Sequence, residues 1–224
     1  MVNARITWPR RVPALLFALL LALPLGCNNP FKPADPPPPS GEAVPEEFGS
    51  IVDLLGTVKT AIETRTPNGA DAYLHAMAES TSVGDHAFRA FYDPSVEAAW
   101  LINSGGQTAP EPWNLALERG LHSELSGILP NAPYLFSWED DPGHGFDTQI
   151  GTTNVWEVHR HYKLVAAPAT GEPVIIAVGY ADMLMIEQNS RFFIFDWHDR
   201  VDPAFGVNPP DFQRSFSYYR LESQ

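Results

Sequence analysis

The chain has 224 residues, 44% apolar and 12% aromatic, enough to build one substantial core. Its 27 acidic side chains against 14 basic ones give a formal charge of −13, which argues against a nucleic-acid partner, because phosphate backbones need clustered Lys and Arg. The single cysteine excludes an intrachain disulfide and any Cys-based zinc site.

Arg5, Arg10 and Arg11 open the chain and an apolar run follows from Val12 to Leu25. That run is shorter than the roughly 18 to 20 apolar residues that span a bilayer, and Pro13 and Pro24 interrupt it, so residues 1–26 read as a secretory signal peptide. Leu25, Gly26 and Cys27 come next. They resemble the lipobox of bacterial lipoproteins, with Pro24 where that pattern usually carries Leu. The resemblance implies that Cys27 becomes the first mature residue and carries two or three acyl chains, palmitate among them, a persistent membrane anchor. It also implies a cell-envelope location with the domain outside the cytoplasm, in the periplasm or at the surface. Residues 27–224 keep 11 basic and all 27 acidic side chains, so the domain itself is not expected to adhere to an anionic leaflet.

Seven prolines stand between Pro30 and Pro45, which favours extended polyproline II. Residues 27–46 therefore form the lipidated Cys and a spacer with a reach of roughly 60 Å at about 3.1 Å per residue. Residues 47–224 are a normal size for one domain.

The front of that domain reads as helix. Phe48, Ile51, Leu54, Leu55, Val58, Ala61 and Ile62 recur at helical spacing behind Pro45, Glu46 and Glu47, and the pattern stops at Thr66-Pro67-Asn68-Gly69. The spacing predicts a second helix over Ala70–Glu79, a short strand over Ala87–Tyr92 and a third helix over Pro112–Leu129. Five segments rich in β-branched and aromatic residues then read as strands: Tyr134–Trp138, Asn154–Val165, Pro173–Glu187, Arg191–Trp197 and Ser215–Leu221. Hairpin turns fall at Ala166–Glu172 and Gln188–Ser190. Helices first and long strands afterwards predict an α+β fold, with helices on one face of an antiparallel sheet.

"AFRAFYDP", "VGYADMLMI" and "RFFIFDWHD" make the domain similar to the nuclear-transport-factor-2-like superfamily. Phe192, Ile194, Trp197 and Asp199 match the aromatic, Ile, Trp, acid order with which members often end their sheet. The phase slips between Ile194 and Trp197, which predicts a β-bulge. The resemblance implies a curved antiparallel sheet wrapped around N-terminal helices, a cone with an apolar pocket at its open end. Relatives include ketosteroid isomerase, polyketide cyclases and scytalone dehydratase beside many proteins without catalysis, so fold alone does not settle activity.

Several constellations could carry chemistry. Glu157, His159 and His161 share one strand face at a spacing that suits zinc or iron. Lys163 completes that face while Trp156, Val158, Tyr162 and Leu164 make the other apolar, so a solvated outer face is expected, with no metal and no cofactor. Glu139, Asp140, Asp141 and Asp147 surround Gly143 and Gly145, which stand where calcium ligands would be wanted, and read as a solvated acidic loop. Asp196, His198, Asp199 and Asp202 read as structural. Tyr180 and Asp182 could serve acid–base chemistry only if their face points inward; Ala181, Met183 and Met185 compete for that direction. No nucleophile elbow or phosphate-cradling Gly loop is present.

Trp156, Arg160 and Tyr162 form the expected pocket. An Arg on the inner face must be paired, because an isolated buried charge costs several kcal/mol. The alternatives are Tyr180 or Asp182 across the hairpin, a ligand's anionic group beside Gly179, or a head reaching water. The favoured reading is a lipid-anchored envelope protein with a non-catalytic ligand- or partner-binding domain. The alternatives are an anchored acid–base enzyme acting on a small hydrophobic molecule and a self-associating structural lipoprotein. The strand Pro173–Ile186 is apolar on both faces, which requires cover on its outer side from the chain's own end or from a second copy in a homodimer.

Overall fold

The computed structural model describes residues 43–79, 86–109, 113–141, 143–205 and 214–223. The expected signal peptide, Cys27 and the expected spacer up to residue 42 lie outside them.

Helix α1 spans Ile51–Thr64 and buries Leu54, Leu55, Val58, Ala61 and Ile62, the stripe the spacing marks. It starts at Ser50 rather than among Pro45–Glu47, because the Ser50 hydroxyl accepts from Asp53 N at 3.1 Å. Arg65, at φ 52°, ends it in the left-handed conformation. Helix α2 covers Pro67–His75, three residues ahead of expectation. Thr66-Pro67 is a helix start, since Thr66 caps Gly69 N and Pro67 fits the first turn. Strand β1 is Arg89–Phe91.

Helix α3, Pro94–Asn103, stands where no helix was expected; Asp93 caps Ser95 N and Pro94 fills the first turn. The third expected helix is shorter at its start. Trp113–Asn114 form strand β2, and Asn114 then caps helix α4, Leu115–Gly127.

The remaining strands are β3 (Tyr134–Asp140), β4 (Thr148–Gln149), β5 (Val155–Ala166), β6 (Val174–Gln188) and β7 (Arg191–Val201). They build a curved seven-stranded sheet in the order β2-β1-β7-β6-β5-β3, with β4 paired to β5. It does not close into a barrel. Two expectations need correction. The sheet is mixed, because β1 runs parallel to β7. Ser215–Leu221 is not a strand: Phe216–Glu222 form helix α5, capped by Ser215 accepting from Tyr218 N. The aromatic content that favours a strand is outweighed by a helical pitch that buries Phe216, Arg220 and Leu221 together.

The expected bulge is present. Leu184 pairs with Asp196 and Met185 with Ile194, so Phe195 is the extra residue. Asn189 and Ser190, at φ 53° and 60°, make the two-residue turn between β6 and β7.

The core lies inside the curve. Val158, Tyr162 and Leu164 of β5, Ala181, Met183 and Met185 of β6, and Ile194 and Trp197 of β7 face α1, α2 and α5 there. Outside the curve, Ile186 and Phe195 bury against Ala78, and Val178 is also buried. The cover of that outer face by the described residues is partial: Tyr180 and Leu184 are half-buried and Val174 is exposed.

Candidate functional site

Among the described residues, aromatic side chains pack the inner face of the sheet. Phe216 of α5 stacks on Tyr162 with ring centroids 4.4 Å apart. The Tyr162 hydroxyl donates to Asp199 Oδ1 at 2.7 Å and accepts from Phe216 N at 2.9 Å, while Asp199 Oδ2 accepts from Ser217 N at 2.6 Å. Burial, and then the Asp199 charge, push the Tyr162 hydroxyl well above its ordinary pKa; burial also pushes the Asp199 carboxyl up.

A second closed set sits beside the first. Glu118 and Arg220, both 0% exposed, form a buried pair at 2.8 Å. Glu118 also accepts from the Tyr73 hydroxyl at 2.6 Å and from Trp113 Nε1. Burial pulls the Arg220 guanidinium down, but Glu118 outweighs it and holds Arg220 above its usual value. Among the described residues these acids and bases bond one another, and Arg220 Nη1 is buried without a hydrogen-bond partner.

The three expected pocket residues have different surroundings. Tyr162 lies wholly in that core. Gly179 stands opposite it, and a Cβ there would come within 2.5 Å of the Tyr162 hydroxyl, so the missing side chain makes room for Tyr162. Arg160 faces inward near the end of β3 and is paired, but with none of the partners the sequence offered. Asp147 takes it in a two-pronged ion pair at 2.6 and 2.7 Å. Trp156 packs against Phe192, and its Nε1 is buried without a hydrogen-bond partner.

Polar groups gather instead on the outer face of β5, β6 and β7. Ala181, Met183 and Met185 take the inner face, so Tyr180 and Asp182 point outward and cannot form an acid–base pair inside the cone. His159 and His161 also point outward, but they are covered rather than solvated. His159 Nδ1 meets Asp182 Oδ1 at 2.8 Å, and His161 Nε2 meets Asp202 Oδ2 at 2.9 Å. Arg200 bonds both Asp182 and Asp141.

The loop after β3 is anchored here, which its acidic composition did not predict. Asp141, 5% exposed, binds Gly143 N at 2.8 Å and His144 Nδ1 at 2.8 Å. Burial alone would raise Asp141, and likewise Asp182. In both, hydrogen bonds outweigh it and hold the carboxyl below its ordinary value: Gly143 N and then Arg200 for Asp141, Arg200 and then His159 for Asp182. The His144 ring stacks on His159 at 4.5 Å. One ligand atom each from His144, His159 and Asp182 lie within 4.8 Å of one another.

Beside this cluster a depression of about 400 Å³ is lined by Glu157, Asp182, Leu184, His198 and Arg200, with Pro94 on its far wall. The sequence groups Glu157 and His159 with His161 on one strand face and Asp182 with Tyr180 on another. It gave no sign that His144, from a glycine-flanked loop, completes the group.

No family model and no curated protein matches the chain. Among solved structures, it is similar to a protein of unknown function from Mycobacterium tuberculosis, at 11% identity and TM-score 0.48, covering 77% of this chain and 88% of that one. It is also similar to an NTF2-like protein with a cystatin-like fold from Novosphingobium aromaticivorans, at 7% identity and TM-score 0.45, over 67% and 79% of the two chains. An NTF2-like protein of unknown function from Shewanella oneidensis matches at 10% identity and TM-score 0.40, over 66% and 94%. The likeness is one of fold. At these identities it carries nothing about activity.

Proposed function

We propose that this chain is a lipid-anchored protein of the bacterial cell envelope whose domain, outside the cytoplasm, holds a ligand or partner without transforming it. The observation that supports the non-catalytic reading is that the buried acids of the inner face already have partners within the chain. Proton-transfer chemistry of the isomerase or dehydratase kind needs titratable groups converging on an apolar space that a substrate can enter. Here Asp199 is taken up by Tyr162 and Ser217, Glu118 by Arg220, Tyr73 and Trp113, and Phe216 stacks on Tyr162. The anchor rests on the lipobox-like Leu25-Gly26-Cys27 and on the proline-rich spacer that follows. Among the described residues no helix is long and apolar enough to cross a membrane.

Binding is tested with the mature protein and a panel of fatty acids and other amphipathic carboxylates. Tryptophan fluorescence and thermal unfolding report binding, and mass spectrometry of the recovered ligand reports conversion. The expected result is a saturable response with the ligand returned unchanged. A ligand returned chemically altered contradicts the non-catalytic reading.

A further inference from the structure

We propose that His144, His159 and Asp182 form a binding site for a first-row divalent metal ion on the outer face of the sheet. The proposal stands apart from the anchor and from the buried acids of the inner face, since none of its residues takes part in either.

Two imidazoles and a carboxylate on three separate chain segments converge here: the loop after β3, strand β5 and strand β6. Their ligand atoms lie within 4.8 Å of one another. Zinc holds nitrogen and carboxylate oxygen at about 2.0 to 2.2 Å, which sets neighbouring ligands about 3 to 3.5 Å apart. At most about 1.3 to 1.8 Å of contraction remains, and His144, whose side chain is 42% exposed on a loop, supplies it by turning off its stack on the His159 ring.

The surroundings are those of a supported metal site. Ligating histidines usually give their other ring nitrogen to a carboxylate, which fixes the ring and its tautomer. His144 Nδ1 is held by Asp141 at 2.8 Å, which leaves Nε2 for an ion. Asp141 is in turn held by Gly143 N and Arg200, and the same Arg200 orients Asp182. A carboxylate offers about four lone-pair sites, so the Arg200 contacts do not exhaust Asp182. Glu157, 3.5 Å from His159 Nε2, lies at the ring nitrogen that faces away from Asp182 and can support the His159 ring while Nδ1 ligates. Asp141, Asp182 and Glu157 together outnumber the single guanidinium of Arg200, so the local charge favours a dication.

The ligand set also narrows the metal. Imidazole with carboxylate suits zinc, iron, nickel or copper, whereas calcium and magnesium take oxygen ligands. Asp182 and Glu157 also line the neighbouring depression, so three protein ligands leave a coordination position open toward it.

The test uses untagged mature protein with Zn²⁺ as the probe, and Co²⁺ for a visible absorption spectrum. Metal is measured by equilibrium dialysis and elemental analysis. Wild type should bind one zinc per chain, and His144→Ala should weaken binding at least tenfold. His144 lies on an exposed loop, so this variant should keep wild-type circular dichroism. Asp141→Asn, which weakens the support of His144 and the contact to Arg200 but removes no ligand, should weaken zinc binding by about 10- to 100-fold. His75→Ala, at an exposed histidine paired with Glu46 elsewhere, should bind as wild type does. Zinc bound equally by wild type and His144→Ala, or no stoichiometric zinc on wild type, would overturn the proposal.

Discussion

The hydroxyl of Tyr162 and the carboxylate of Asp199 share a 2.7 Å hydrogen bond at the centre of the core, and that hydroxyl also caps the entry to the C-terminal helix through Phe216 N. One side chain thus ties β5, β7 and α5 together. Removing it strands a buried acceptor and a buried donor, each costing about 1 to 3 kcal/mol. Tyr162→Phe should therefore destabilise the fold by about 2 to 6 kcal/mol, read from the denaturant midpoint at constant slope.

Gly179→Ala tests the same junction from the opposite strand. The added methyl would lie 2.5 Å from the Tyr162 hydroxyl and 2.6 Å from the Arg200 carbonyl. Overpacking of this kind costs about 1 to 3 kcal/mol, and thermal unfolding should show a lowered midpoint. An unchanged midpoint would mean that Tyr162 does not fill this space.

The Glu118–Arg220 pair gives a non-additive prediction. Breaking a buried pair by removing one partner leaves an uncompensated charge, at about 3 to 5 kcal/mol. Arg220→Met alone should lose about that much. Glu118→Gln combined with Arg220→Met should lose less than the single Arg220→Met variant, because no charge remains stranded. A double-mutant cycle of unfolding free energies measures the difference.

How far the sequence reveals these relations depends on their range. The phase slip between Ile194 and Trp197 is local, so the bulge at Phe195 could be read from spacing. The stripe of α1 and the Asn189-Ser190 turn were legible for the same reason. The Asp93-Pro94 signal for α3 was present and went unread. Phe216–Glu222 looked like a strand because its aromatic composition gives no hint that Arg220 would meet Glu118, 102 residues earlier in the chain. Arg160 could be recognised as inward and in need of a partner. That Asp147 supplies it depends on how the glycine-containing loop folds back, which no periodicity encodes.

The outer-face carboxylates predict a pH dependence. Asp141 and Asp182 titrate below their ordinary values in the fold. Their contribution is present above the unfolded-chain value of about 3.9 and is lost as pH falls through the lower folded values. Arg200→Gln weakens the hydrogen bonds that hold both groups down. The stability gap between wild type and this variant should be widest near neutral pH and should close below about pH 4. Asp199 acts in the opposite sense: its folded value is raised, so its contribution diminishes as pH rises above about 3.9. Denaturant titrations across pH 3 to 7 on both proteins would check this.

Arg160 and Asp147 fasten the loop that carries His144. Asp147→Asn removes the charge from a two-pronged pair and should cost about 1 to 2 kcal/mol. The loss should concentrate in the loop, so backbone amides of residues 143–150 should exchange faster while those of β6 stay protected.

That the domain is held at a membrane through Cys27, and not by its fold, is tested most directly by the mass of the mature N-terminus. Protein extracted from bacterial membranes and digested should yield a peptide that begins at Cys27 and carries a diacylglyceryl group on its sulfur. The Cys27→Ser variant should leave the membrane fraction. An unmodified Cys27 thiol on membrane-extracted protein, or a Cys27→Ser variant that still sediments with membranes, would contradict the anchored reading.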